Sequence, residues 1–101
     1  GDNEKIRART QETSYIIMYY LYILKCADKT LYTGITTDLK RRIIEHNNGK
    51  LGAKYTHSRR PVKLVYSKKF KNRSTASREE ARIKELKRVE KSELVRDYRK
   101  G

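Results

Sequence analysis

Only one cysteine occurs in this 101-residue chain. Cys26 therefore has no partner for an internal disulfide and no companion thiol for a zinc site. Its position in an apolar run reads as a small core residue in a reducing compartment. Long hydrophobic runs are missing too. No stretch approaches the roughly 18–20 apolar residues of a membrane helix, and no signal-peptide pattern is present, so a soluble, cytoplasmic protein is expected. The patterns of a zinc finger, a helix-turn-helix, an RNA-recognition motif, a repeat or a low-complexity tract are absent, which predicts low sequence specificity for any polymer it meets. Acids are scarce, with 12 Asp plus Glu against 26 Lys plus Arg.

A chain of this length is one small domain that buries roughly 60–65% of the surface its unfolded form would expose. That suits a thin core and a shallow site. Positive charge is abundant and unevenly distributed. Residues 40 to 73 hold twelve Lys or Arg and a single acid, Glu45. From residue 74 onward nine basic residues face six acidic ones, which reads as an ordinary solvated helical surface. A one-sided basic block attracts a polyanion, most often nucleic-acid phosphate. Charge says nothing about catalysis, and it suits an RNA- or ribosome-associated basic protein as well.

Residues 1–17 lack a clear period and read as a tag remnant or disordered extension. Residues 18–25 and 31–36 are rich in aromatic and β-branched side chains, and the polar turn between them makes a hairpin. Alternation sets Tyr20, Tyr22 and Leu24 opposite Tyr19, Leu21 and Ile23, and sets Tyr32, Gly34 and Thr36 opposite Leu31, Thr33 and Ile35. "TTDLKRRIIEHNNG" is a helix, capped by Thr37 or Asp38 and ended by Asn48-Gly49. Arg42 and His46 lie four apart on one of its faces. "GKLGAKYTHSRR" reads as a cationic loop and "PVKLVYSKKF" as a third strand. From Ser74, a plausible N-cap, the chain is helical, with Ala76, Ile83 and Leu86 as its buried stripe. A break near Ser92 begins a short second helix, and residues 96–101 form a flexible basic tail. The order β-β-α-β-α-α predicts an α+β domain over residues 18–95, with a three-stranded antiparallel sheet flanked by helices.

"YLY" at 20–22, "YTG" at 32–34, "DLKRRIIEH" at 38–46 and "EARIK" at 80–84, in this order and spacing, resemble the GIY-YIG nuclease superfamily. The particular likeness is to its small stand-alone bacterial branch, the UvrC-intron-endonuclease-like (UPF0213-like) proteins. The resemblance covers nearly the whole chain and implies a metal-dependent phosphodiesterase. It implies that Tyr22 and Tyr32 line the active face, where one phenol positions or deprotonates the attacking water. Gly34 would let phosphate approach the backbone. Arg42 would contact the scissile phosphate, with His46 one turn on as a further catalytic residue, and Glu80 would hold Mg²⁺ or Mn²⁺. Two departures stand out. Tyr20 and Leu21 replace the Gly and Ile of the first motif, and no asparagine follows Glu80.

Read without the family, the same residues leave alternatives open. Phosphodiester cleavage needs a nucleophilic water, neutralised phosphoryl oxygens and help for the leaving oxygen. A tyrosine titrating near about 10 serves as base only beside cations or metal; otherwise Tyr22 and Tyr32 are half-buried strand residues. Arg42 is a phosphate fork or a solvated cation. His46 is catalytic, or a cation suited to a helix C-terminus. Glu79 and Glu80 lie equally near the apolar stripe, so the period does not choose between them. One carboxylate holds a hard cation weakly without substrate phosphate. Lys50, Lys54, Arg59 and Arg60 precede the third strand, where they suit contact with a flanking nucleic-acid strand, and Tyr55 suits stacking on a base. The resulting expectation is a divalent-metal-dependent DNA endonuclease, structure- rather than sequence-directed, working with repair or recombination proteins. A catalytically silent nucleic-acid-binding module of the same fold is the alternative.

Overall fold

The computed structural model describes residues 17–49 and 52–100. The expected extension before the first strand therefore lies, apart from Ile17, outside the described residues, and so does Lys50. Strands β1 (Tyr19–Lys25) and β2 (Leu31–Thr36) form the expected hairpin. Its turn closes through Cys26 N–H donating to the Thr30 carbonyl at 2.9 Å, and Asp28 accepts both the Thr30 amide and hydroxyl. Strand β3 (Lys63–Phe70) pairs with the other edge of β1, giving an antiparallel sheet ordered β2-β1-β3.

Because β1 is central and the sheet is covered on both faces, its period of two feeds two cores. Leu21 and Ile23 pack with Val65 and Ile83 on one face; Tyr22 and Leu24 pack with Cys26 and Val62 on the other. A bulge keeps β3 in step. Ile23 pairs with Tyr66 but Leu24 pairs with Leu64, so Val65 has no partner on β1. Val65 and Tyr66 thus join the first core and Leu64 the second.

Helix α1 (Leu39–Asn48) is started by Asp38, whose carboxylate accepts the Arg41 amide at 3.1 Å. Its Leu39 and Ile43 cover the second core. The segment read as a loop contains a short helix, α2 (Lys54–His57). Helix α3 (Arg73–Lys84) covers the first core with Ile83, and its cap is Asn72 rather than Ser74, accepting the Thr75 amide at 2.9 Å. Both residues are competent caps, and the earlier one captures the free amides. Helix α4 (Arg88–Lys100) begins before Ser92, where Glu90 reaches back to the Lys87 amide at 2.8 Å. Residues 96–100 continue this helix instead of forming a tail, and Tyr98 packs on Tyr66 with ring centroids 5.4 Å apart. Among the described residues no helix is long and apolar enough to cross a membrane.

Candidate active site

Tyr22 points from the middle of β1 towards the last turn of α1, and only 2% of it is exposed. Its hydroxyl lies 2.9 Å from Nε2 of His46, which is wholly buried. The other ring nitrogen, Nδ1, lies 2.7 Å from the hydroxyl oxygen of Thr56 in α2. Thr56 in turn donates to the Ala53 carbonyl at 3.0 Å. That last bond sets the direction of the rest. With its own proton on Ala53, Thr56 accepts from Nδ1–H, so Nε2 is the acceptor and the Tyr22 phenol is the donor.

Electrostatics agree with this assignment. Burial, reinforced by the charges of Arg42 and Arg60 against the opposing pull of Glu45, drives the His46 pKa down to about 4. The imidazole is therefore neutral near pH 7, not the helix-end cation that its position on α1 allows. Burial also raises the Tyr22 phenol, outweighing a hydrogen bond from Arg42 that lowers it. Arg42 shares its guanidinium with Glu45, whose Oε1 lies 3.0 Å from Nη1.

Gly34 is the cross-strand partner of Tyr22, and the phenol fills the space above it. A Cβ on Gly34 would sit 2.5 Å from the Tyr22 hydroxyl oxygen. The missing side chain thus accommodates Tyr22, where the family likeness implied an approach for phosphate.

Tyr32 is more open than Tyr22. Its ring meets His46 edge-on at 5.2 Å and stacks on Tyr55 at 5.7 Å, and the Arg59 guanidinium lies 4.0 Å above the Tyr55 ring. Tyr55, expected as a stacking platform for a base, is already engaged by these two neighbours.

The fold separates the two acids that the helical period does not. Glu79 grips Arg82 through two bonds of 2.9 and 2.6 Å, and its charge acts on Tyr66, which belongs to the first core. Glu80 acts on Tyr22, in the second. Its side chain is 23% exposed, and its carboxylate lies 3.2 Å from the Lys84 ammonium.

The cations before β3 have duties inside the fold. Arg60 donates to the carbonyls of His46 and Gly49 at 2.5 and 2.6 Å and so closes the C-terminus of α1. Arg59 ties Asp28 of the hairpin turn to the Tyr55 carbonyl. Lys54 is exposed. These bonds to a helix end and a turn were not legible in the sequence, where Arg59 and Arg60 read only as cations suited to a nucleic-acid strand.

Thr56 is the residue that sequence reasoning missed. A threonine three residues after the start of a short turn often bonds back to a carbonyl, which marks a local motif but not its contact with His46.

A profile of the GIY-YIG catalytic domain matches residues 18–93. A UPF0213 protein from Desulfotalea psychrophila is 53% identical over 83 residues, covering 82% of this chain and 76% of its own. One from Syntrophus aciditrophicus is 53% identical over 77 residues, covering 76% of this chain and 88% of its own. The solution structure of a UPF0213 protein from Bacillus halodurans superposes with a TM-score of 0.52 at 47% identity, covering 78% of this chain and 83% of that one. The solution structure of a protein from E. faecalis gives 0.57 at 37%, covering 83% and 88%. The chain belongs to the GIY-YIG nuclease family.

Proposed function

We propose that this protein is a divalent-metal-dependent DNA endonuclease that hydrolyses a phosphodiester by way of Tyr22, Arg42 and His46. The observation that carries this reading is the Tyr22 hydroxyl held between the Arg42 guanidinium and the Nε2 acceptor of His46. A phenol titrating at or above about 10 is ionised in fewer than about one molecule in a thousand at pH 7. A standing phenolate is therefore a poor base. The relay removes the need for one. As water attacks phosphorus and the P–O bond to the leaving strand breaks, the water's proton passes to the Tyr22 oxygen while the phenol passes its own to His46 Nε2. Thr56 keeps Nδ1–H engaged, so that Nε2 stays free for that proton. The imidazolium, acidic at a pKa of about 4, then returns a proton through the phenol to the departing oxygen. Arg42 offers its charge to the phosphoryl oxygens as negative charge grows on them. Tyr32, on the more open side of His46, borders the attacking water and excludes other solvent.

Among the described residues no group of three or more His, Cys, Asp or Glu gathers to hold a metal. Two acids among these residues lie on the Tyr22 side, and of them Glu45 is held by Arg42. That leaves Glu80 as the single candidate ligand, which fits a hard cation that completes its shell with water and substrate phosphate, and so binds weakly without DNA. Such an ion, when bound, neutralises phosphoryl charge and stabilises the leaving oxygen.

A basic surface that grips phosphate without reading bases favours recognition of DNA structure over sequence, in repair or recombination within the cytoplasm. The Lys84 ion pair on Glu80 favours a second reading, a nucleic-acid-binding module without turnover. Cleavage of duplex, nicked, flapped and branched DNAs in Mg²⁺ and Mn²⁺ separates the two. The endonuclease reading expects Tyr22→Phe to lower single-turnover cleavage by about 10²–10⁴-fold with binding retained. No cleavage by wild type across all substrates and metals leaves the binding module in its place.

A further inference from the structure

Helix α4 carries its charges in sectors. At 100° per residue, Arg88, Ser92, Val95, Arg96 and Arg99 fall within about 100° of one another. The acids Glu90, Glu93 and Asp97 occupy a sector centred about 150° away. With five basic residues to three acids, the helix is also one-sided in space. Its basic sector faces the end of the sheet, where Lys25, Arg88, Arg96, Arg99 and Lys100 surround a groove of about 510 Å³. No acid lines it. Leu31 and Val95, both packed on the first core, form its floor. A neighbouring groove extends the basic surface through Lys63.

Among the described residues, Lys25, Lys63, Arg96, Arg99 and Lys100 take part in no ion pair. Like charges gathered without counter-charges repel, and a polyanion relieves the repulsion while releasing its own counterions. Arg88 and Arg99 stand about 16 Å apart along the helix axis, matching about five phosphates of one strand at 3.4 Å each. The groove adjoins the first core, whereas Tyr22, Tyr32 and His46 lie on the opposite face of the sheet.

We propose that the α4 groove is a second DNA-backbone site, which lets one protein molecule hold two duplex segments on opposite faces of the sheet. This rests on the nucleic-acid reading of the Tyr22 face. It adds a reason for preferring branched DNA, whose arms present two duplexes at once. Cations without acid partners, spread over about 16 Å above an apolar floor, suit the continuous charge of a phosphate backbone better than an acidic peptide, whose carboxylates are interrupted by neutral residues.

The test compares binding of a short blunt duplex and a four-way junction over a range of salt. It uses wild type, Arg96→Gln with Arg99→Gln, and Arg96→Lys with Arg99→Lys. Both positions are exposed, so equal melting temperatures confirm an intact fold. The expected result for the Gln pair is about tenfold weaker junction binding with a log–log salt slope shallower by about 2, since each lost phosphate contact removes about 0.9. Duplex binding stays within about twofold, and the Lys pair restores the junction. Equal losses on both DNAs, or none on either, overturn the second site while leaving the Tyr22 face intact. Wild type that binds neither DNA overturns both readings. Poly-glutamate binding that depends on these arginines, with junction affinity unchanged by their loss, overturns it in favour of an acidic protein partner.

Discussion

The hydroxyl end of Tyr22 lies over Gly34, its directly paired residue on the neighbouring strand. The last residue of the "YLY" motif thus rests on the last residue of "YTG", and the two tripeptides are halves of one contact. A methyl group on Gly34 is fixed to the backbone at a buried position of the edge strand β2 and has no room to yield. Gly34→Ala is expected to displace the phenol from His46, lowering the melting temperature by the equivalent of about 1–3 kcal/mol and reducing cleavage at least tenfold. Thermal unfolding and single-turnover cleavage check this. An Ala variant as stable and active as wild type removes the steric account.

Thr56 is expected to act through the imidazole. Thr56→Val keeps the shape but strips Nδ1–H of its acceptor, a buried loss of about 1–3 kcal/mol. The imidazole is then free to shift its proton to Nε2, where it opposes the Tyr22 donor. Cleavage should fall about 10–100-fold, with Thr56→Ser restoring it. Imidazole nitrogen shifts in NMR report the tautomer directly, and an unchanged Nδ1–H form in the Val variant contradicts the assignment.

Glu80→Ala should abolish cleavage while leaving DNA affinity unchanged or tighter, because removing a negative charge beside phosphate cannot weaken an electrostatic grip. Glu79→Ala should keep most activity, since its carboxylate is committed to Arg82 on the other core. Cleavage in Mg²⁺ beside binding in Ca²⁺ measures both. Loss of activity in Glu79→Ala alone would assign the metal to the wrong acid.

His46 makes stability depend on pH. Its folded pKa, about 4, lies below the ordinary 6.5, so the unfolded chain binds the proton more readily. The stabilisation is complete above about 6.5 and drains away as pH falls towards 4, by at most roughly 1.4 kcal/mol per unit. Melting temperatures from pH 7.5 to 4.5 should fall over this window in wild type and fall less in His46→Gln. Parallel curves would show that His46 is not the group responsible.

The strands, both long helical regions and the two-faced hairpin were legible because each writes a local period or cap into the chain. The site was legible only in part. Tyr22, Arg42 and His46 stand on regular elements, so their faces follow from counting. The contact of Gly34 with Tyr22 was not legible because it depends on register across the hairpin, which alternation leaves unstated. Glu79 and Glu80 differ by one helical step, and only the packing of α3 over the sheet tells which looks towards Tyr22. Thr56 and Arg60 lie in a segment without period, and each reaches back to His46 across ten or more residues. Counting cations there could not separate those that hold the fold together from those offered to solvent.

The hydrogen-bond chain from Tyr22 ends at the Ala53 carbonyl, which has no proton to pass on. It is a dead end and not a wire. A proton that enters His46 through the phenol can leave only by the same door, so the imidazole is a reservoir with one opening. The α2 side offers it no second exit, so any proton the imidazole takes up through Tyr22 must return through Tyr22.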